Sequence, residues 1–309
     1  MKTYCFLLLF ISAFAASKKD NVVAKIDAHI HIYDTNRTGS CTFLDPVKHA
    51  KIYSPHLPHD FIQVSQSTGV NYAIVVEAST RIEDNDWLIK IVNESDNMLA
   101  FIGNLDPGHP NFRTDLERLA MHKKFRGIRI RKESPVNIAD PKVVEALGLL
   151  NERHLVLELG ENQGSTANII ELARKYPEMN IIMNHLAGGR MQNGKVVPDD
   201  WTERLTNLSG ESNIYCKVSM IYYLSGENPA PVDIEHYKPL IDPVLGAFGP
   251  NKVIFGSNWT LSEMSGSYSD MVRMLDEYCT EKTDLSSEQF YTLNALKAYG
   301  ISLDNVRVK

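Results

Sequence analysis

Beyond residue 20, short apolar runs alternate along the chain with stretches whose apolar residues recur at helical spacing. The runs read as strands: VVAKIDAHIHIY from Val22, YAIVVEAS from Tyr72, MLAFIGNLDP from Met98, FRGIRIRK from Phe125, LVLELGEN from Leu155, NIIMNHLAG from Asn180, NIYCKVSMI from Asn213 and KVIFGSNWT from Lys252. Most are separated by segments of period 3.6, such as DPKVVEALGLLNER and STANIIELARKY, so the repeating unit is strand–helix. Strands that are apolar along most of their length and sit between helices suit a parallel sheet covered by helices. Repeated through all these runs, the unit predicts an α/β fold, a (β/α)8 TIM barrel over residues 22–303; the runner-up is an open doubly wound sheet, but no G-x-G-x-x-G follows the first strand. The final SSEQFYTLNALKAYGI predicts one further amphipathic helix with a Ser cap.

Residues two apart in a strand share a face. In the first strand this predicts Asp27, His29 and His31 on one side and Ala28, Ile30 and Ile32 on the other, with the apolar set toward the helices. The same parity groups Arg129 with Arg131, Tyr215 with Lys217 and Ser219, and Gly256 with Asn258, while Glu77, Glu158 and His185 lie late in their strands. Barrel strands open their site at their C-terminal ends. The expected mouth therefore gathers His29, His31, Glu77, Arg129, Arg131, Glu158, His185, Lys217 and Asn258. Two histidines on one strand face can simply bond within a polar layer, but a third at the same mouth completes the donor set of a catalytic zinc. Arg129 and Arg131 suit bidentate capture of a carboxylate or a hydroxylated ring, or ion pairing with Glu77 and Glu158. A Lys217 ammonium inside a barrel needs a partner. Cys216, of opposite parity, reads as a packed hydrophobe, and Trp259 as pocket wall or core.

Composition narrows the partners. The chain has 309 residues, 43% of them hydrophobic, and a net charge of -6 without a basic run, which points away from nucleic acid and toward a small-molecule substrate. Lys2, the apolar stretch Tyr4 to Phe14 and the A-x-A site Ala13-Phe14-Ala15 predict a signal peptide over residues 1–16, too short an apolar stretch for stable membrane insertion, and hence a secreted or extracytoplasmic protein. Removing it takes Cys5 and leaves Cys41, Cys216 and Cys279, an odd number that is no disulfide framework. N-x-S/T triplets begin at Asn36, Asn93, Asn207 and Asn258.

The segments DAHIHIYD, FRGIRI, MNHLAGG, NIYCKVS, AFGPNKVIFGSNW and NALKAYGI, in this order from about Lys25 to Ile301, resemble the amidohydrolase-related proteins of the lactonase and pyrone-dicarboxylate hydrolase group. The resemblance implies a barrel of the metal-dependent hydrolase superfamily. It places His29 and His31 at the H-x-H, His185 at the sixth-strand histidine, and Arg129 and Lys217 at positions that face substrate; with Glu77, Arg131 and Trp259 these form the expected binding set. Members of the group open lactones of sugar acids, and some decarboxylate. They divide between zinc enzymes and a metal-free branch, so one divalent metal on His29, His31 and His185 and a metal-free route both stand.

The departure is Asn258. The pattern there is GSDW, whose Asp would activate the attacking water. An amide cannot hold that proton, and its loss typically costs ~10²–10⁴-fold in rate. Three readings follow. One is a secreted lactone hydrolase in which Glu158 or Glu77 replaces the missing base, with Asn258, His185 and Glu158 as its catalytic set; the others are a catalytically silent ligand-binding barrel and a metal-dependent decarboxylase.

Overall fold

The computed structural model describes residues 24–131, 136–160 and 163–306. The expected signal peptide lies outside them. Eight parallel strands form one sheet: β1 (Lys25–Ile30), β2 (Val70–Val76), β3 (Met98–Gly103), β4 (Phe125–Ile130), β5 (Val156–Leu159), β6 (Ile181–Met183), β9 (Ile214–Ser219) and β10 (Val253–Gly256). A small antiparallel hairpin, β7 (Arg190–Gln192) with β8 (Lys195–Val197), is inserted after β6; it carries no long apolar run and was not expected.

The sheet closes on itself at the mouth. The Asn258 amide N–H donates to the His29 carbonyl at 2.9 Å, and the His31 N–H donates to the Trp259 carbonyl at 2.7 Å. Gly256 makes this approach feasible, since a Cβ there would lie 2.7 Å from the Cβ of His29. Closure removes the open-sheet alternative and brings the first and last strands of the barrel side by side.

Helices α1 (Pro58–Ser65), α2 (Asp84–Glu94), α3 (Phe112–Ala120), α4 (Pro141–Glu152), α5 (Thr166–Lys175), α6 (Trp201–Ser209), the single turn α7 (Ile221–Leu224), α8 (Ile234–Phe248) and α9 (Tyr268–Glu281) connect the strands. Their starts follow local chemistry. Asp140 caps α4 ahead of Pro141, and Ser165 and Ser267 accept backbone N–H groups at the starts of α5 and α9. Outward strand residues such as Val75, Ile128, Leu157 and Val218 pack with the helices in one core, where Cys216 also sits. A second core lies inside the barrel: Ile26, Ala28, Ile74, Ile182 and Ile254 meet the last helix, whose final part is α10 (Asn294–Tyr299).

That last helix plugs the floor. Thr292 donates to the Ala24 carbonyl, Asn294 to those of Pro250 and Val253, and Asn180 to that of Ala298, so the strand beginnings are tied to it. Its Ser cap is Ser286, which accepts the Gln289 N–H.

One parity expectation fails. The β1 pairing slips between Asp27 and Ile30, and the strand switches faces there. Ile26 and Ala28 therefore point inward, and Asp27 faces the helices, where its carboxylate accepts from the Tyr268 hydroxyl at 3.0 Å and from the Ser257 and His29 N–H groups at 2.9 and 3.1 Å. Asp27 is thus a seam residue; burial pushes its pKa up to about 6.

Candidate active site

His29 and His31 end the first strand, with ring centroids 5.1 Å apart; His185, just beyond β6, stands 4.8 Å from His29. The three imidazoles expected at the mouth are together. Backbone strain is concentrated at the same strand ends: His185, Leu186 and Ala187 after β6, Met220 after β9 and Asn258 after β10 all have φ between 52° and 60°. Left-handed non-glycine residues cost energy and cluster where a side chain must be aimed.

The hydrogen bonds assign each ring a tautomer. His31 Nδ1 lies 3.1 and 3.0 Å from the Val76 and Glu77 carbonyls, which only accept, so Nδ1 carries the proton and Nε2 keeps a lone pair. Asn258 meets that Nε2 with its amide, placed with Oδ1 at 3.2 Å. Two acceptors cannot bond; the end that pairs with a neutral imidazole lone pair is the NH2, reached by a half-turn of the amide. Burial, then the charges of Arg129 and Arg131, push the His31 pKa down to about 3, so the neutral ring is the form to satisfy.

His185 is set by Ser219, whose hydroxyl oxygen lies 3.1 Å from the His185 backbone N–H and 2.9 Å from its Nδ1. Its Nε2 faces Arg129 Nη2 at 3.5 Å, which makes Nε2 the lone-pair nitrogen. Burial and the Arg129 charge hold its pKa well below the ordinary histidine value. His29 Nδ1 lies 3.2 Å from Lys217 Nζ, and its Nε2 is buried without a partner.

Two carboxylate clusters flank these rings. Glu77 pairs with Arg131 and stands 3.7 Å from Arg129. Glu158 accepts from Lys217 at 2.8 Å, from Tyr299 at 2.5 Å and from Asn184 at 3.0 Å. Burial brings the Lys217 ammonium down to about 8, against the pull of Glu158.

A cavity of about 210 Å³ opens above, lined by His31, Phe43, Arg129, Ile130, Arg131, Gly160, Gln163, His185, Met220, Asn258 and Leu261. Of the expected set it takes His31, Arg129, Arg131, His185 and Asn258. His29, Lys217, Glu158 and Glu77 form the layer beneath. Trp259 lies elsewhere: its ring packs edge-on against Phe61 and His56, its N–H is held by Glu263, and only its backbone serves the mouth. Ser219, Tyr299 and Phe43 were not singled out for the site. Ser219 shared the inward parity of Lys217, the one signal that marked it. With Asn258 only 2% exposed, the folded protein has no room for a glycan on its N-x-T triplet.

The donor set does not fit a divalent ion. Lys217 and Arg129 stand against two of the three imidazoles, the Asn258 amide against the third, and the place for an anionic ligand holds that neutral amide. Among the described residues, no three His, Cys, Asp or Glu side chains are arranged to hold a metal.

Known proteins resemble the chain along most of its length. The amidohydrolase family model matches residues 26–301. An L-fucono-1,5-lactonase of Burkholderia ambifaria is 26% identical over 250 residues, 80% of this chain and 83% of its own. A Burkholderia multivorans amidohydrolase solved with zinc shares the fold at TM-score 0.77 and 18% identity, over 90% of this chain and 100% of its own. A putative 2-pyrone-4,6-dicarboxylic acid hydrolase of Pseudomonas putida does so at 0.69 and 18%, over 90% and 98%. With nearly the whole barrel matched and its mouth built from the residues just described, the chain belongs to the amidohydrolase family, as a hydrolase of its lactonase-like group.

Proposed function

We propose that this mouth opens a small polar lactone, of the sugar-acid type, by attack of water on the ring carbonyl. The observation that carries the reading is the pairing of His185 with Arg129 across the cavity: a neutral imidazole lone pair, its ring fixed by Ser219, beside a guanidinium that lines the same space. A cavity of about 210 Å³ holds one small ring. The lactonase relative is active on such a compound by its name, which supports the substrate class.

The steps use the chain's own groups. Arg129 and Arg131 grip the carbonyl and hydroxyl oxygens and meet the charge that develops as water adds. His185 Nε2 takes the proton from the attacking water and returns it to the ring oxygen as the C–O bond breaks, leaving an open hydroxy acid. Burial and the Arg129 charge make it a weak base before substrate binds; the oxyanion formed between it and Arg129 offsets the charge. Asn258 orients the water through its amide oxygen or holds His31 neutral through its NH2. Glu158 has its oxygens engaged by three donors and remains in the layer below, so the base role falls to histidine.

The test is acid release from a panel of aldonolactones by the mature protein and by His185→Gln. We expect turnover by the former and a loss of roughly 10²–10⁴-fold in the latter. Equal rates in both would remove His185 as base; binding without turnover would make this a ligand-binding barrel, and carbon dioxide among the products a lyase.

A further inference from the structure

The buried groups beneath the cavity form a connected line that the reaction above leaves unused. It starts at Tyr299 on the floor helix, whose hydroxyl donates to Glu158 Oε1; the same oxygen accepts from Lys217 Nζ, and Lys217 reaches His29 Nδ1 at 3.2 Å. Each member is at most 1% exposed. An ammonium has three donors and no acceptor, so the His29 Nδ1 it touches must be a lone pair, and the ring's proton sits on Nε2. That Nε2 has no partner and is buried, in a cluster where the His31 and His185 rings stand 5.1 and 4.8 Å away by centroid. A buried donor left unmade costs about 1–3 kcal/mol, which is expected where an acceptor arrives with the ligand.

We propose that Tyr299, Glu158 and Lys217 are positioning residues that lock His29 as an Nε2–H donor, so that the two histidines of the H-x-H stand in opposite tautomers and His29 offers a hydrogen bond to a substrate oxygen or water where a metal ligand would offer a lone pair. The line ties the last helix of the chain to the first strand's histidine across the barrel interior. Tyr299 thereby reads as more than a floor plug: its donor keeps Glu158 aligned on Lys217, and Lys217 orients the ring. The effect on rate rests on the lactone-opening reading; the tautomer does not.

The experiment is two-bond proton–nitrogen correlation NMR on protein labelled with 15N-histidine, the His29 signals assigned through His29→Gln. The expected result is His29 protonated on Nε2 and His31 on Nδ1, with His29 losing its fixed tautomer in Lys217→Met and in the charge-neutral pair Lys217→Met/Glu158→Gln, which keeps the interior free of an unpaired carboxylate. His29 protonated on Nδ1 in the unaltered protein, or unchanged in both variants, overturns the proposal. Zinc added in equimolar amount is expected to leave the His29 and His31 signals in place; their joint shift onto a bound ion overturns it as well. Tyr299→Phe on any aldonolactone the protein turns over is expected to lower kcat roughly tenfold with KM unchanged, and an unaltered kcat removes Tyr299 from the line. If no lactone is turned over, the tautomer result still decides the inference by itself.

Discussion

Two carboxylate–cation clusters share the barrel interior and differ in one respect, access. Glu158 and Lys217 are sealed: both are fully buried, and Tyr299 and Asn184 donate to the same carboxylate. Glu77 also lies beneath the cavity, but its partners Arg131 and Arg129 line it, and the Arg129 side chain keeps 18% of its surface exposed. The chemistry of the pairs is alike; their surroundings divide the work. A sealed pair can only fix other protein groups, whereas an open one can exchange part of its bonding for a ligand. A buried pair is costly to break from one side, because the survivor stays charged in a dry interior.

The comparison is sharpest where a single partner is removed. Lys217→Ala strands Glu158, and the expected loss is about 3–5 kcal/mol of stability in denaturant unfolding; a change under about 1 kcal/mol would show that water reaches the pair and that it is not sealed. Arg129→Ala touches the open cluster. There we expect kcat/KM to fall by roughly 10–100-fold, the worth of a charge-assisted hydrogen bond, while thermal unfolding moves little because Arg131 still holds Glu77. A large stability loss with normal turnover would invert the assignment of the two clusters.

Asn258→Asp tests the neutral lining between them. A carboxylate against the His31 lone pair calls for a second proton on the ring, so the His31 pKa should rise from about 3 by roughly 1–3 units, read by NMR titration; no rise would mean that the amide does not face Nε2. The smallest effect is expected at Trp259→Phe, behind the cavity. It removes the bond to Glu263 and part of the packing, at a cost of about 1–2 kcal/mol, with turnover unchanged; a selective rise in KM would return Trp259 to the pocket wall.

Much of this was legible in the sequence. All the barrel strands announced themselves, because parallel strands buried on both faces are apolar runs and the helices between them keep period 3.6. Parity then placed Arg129, Arg131, Lys217, Ser219 and Asn258 inward. It failed at Asp27 because alternation assumes an unbroken pleat, and the slip in β1 between Asp27 and Ile30 breaks it. The amphipathic pattern of the last helix showed that it would pack, yet not that the Tyr299 hydroxyl on its buried face would meet a carboxylate from β5. Nor can a sequence show which nitrogen of a histidine bears the proton. That depends on whether a carbonyl or an ammonium lies next to it, a relation between strands far apart in the chain.

The left-handed backbone at Asn258, φ 60°, bears on how such a site changes over generations. Among side chains that carry a Cβ, asparagine and aspartate settle there most readily. The backbone thus screens the alleles open to that codon and lets amide and carboxylate pass as near equals, one base change apart. A lineage could cross between carboxylate and amide versions of this mouth at a single position, without repacking the barrel.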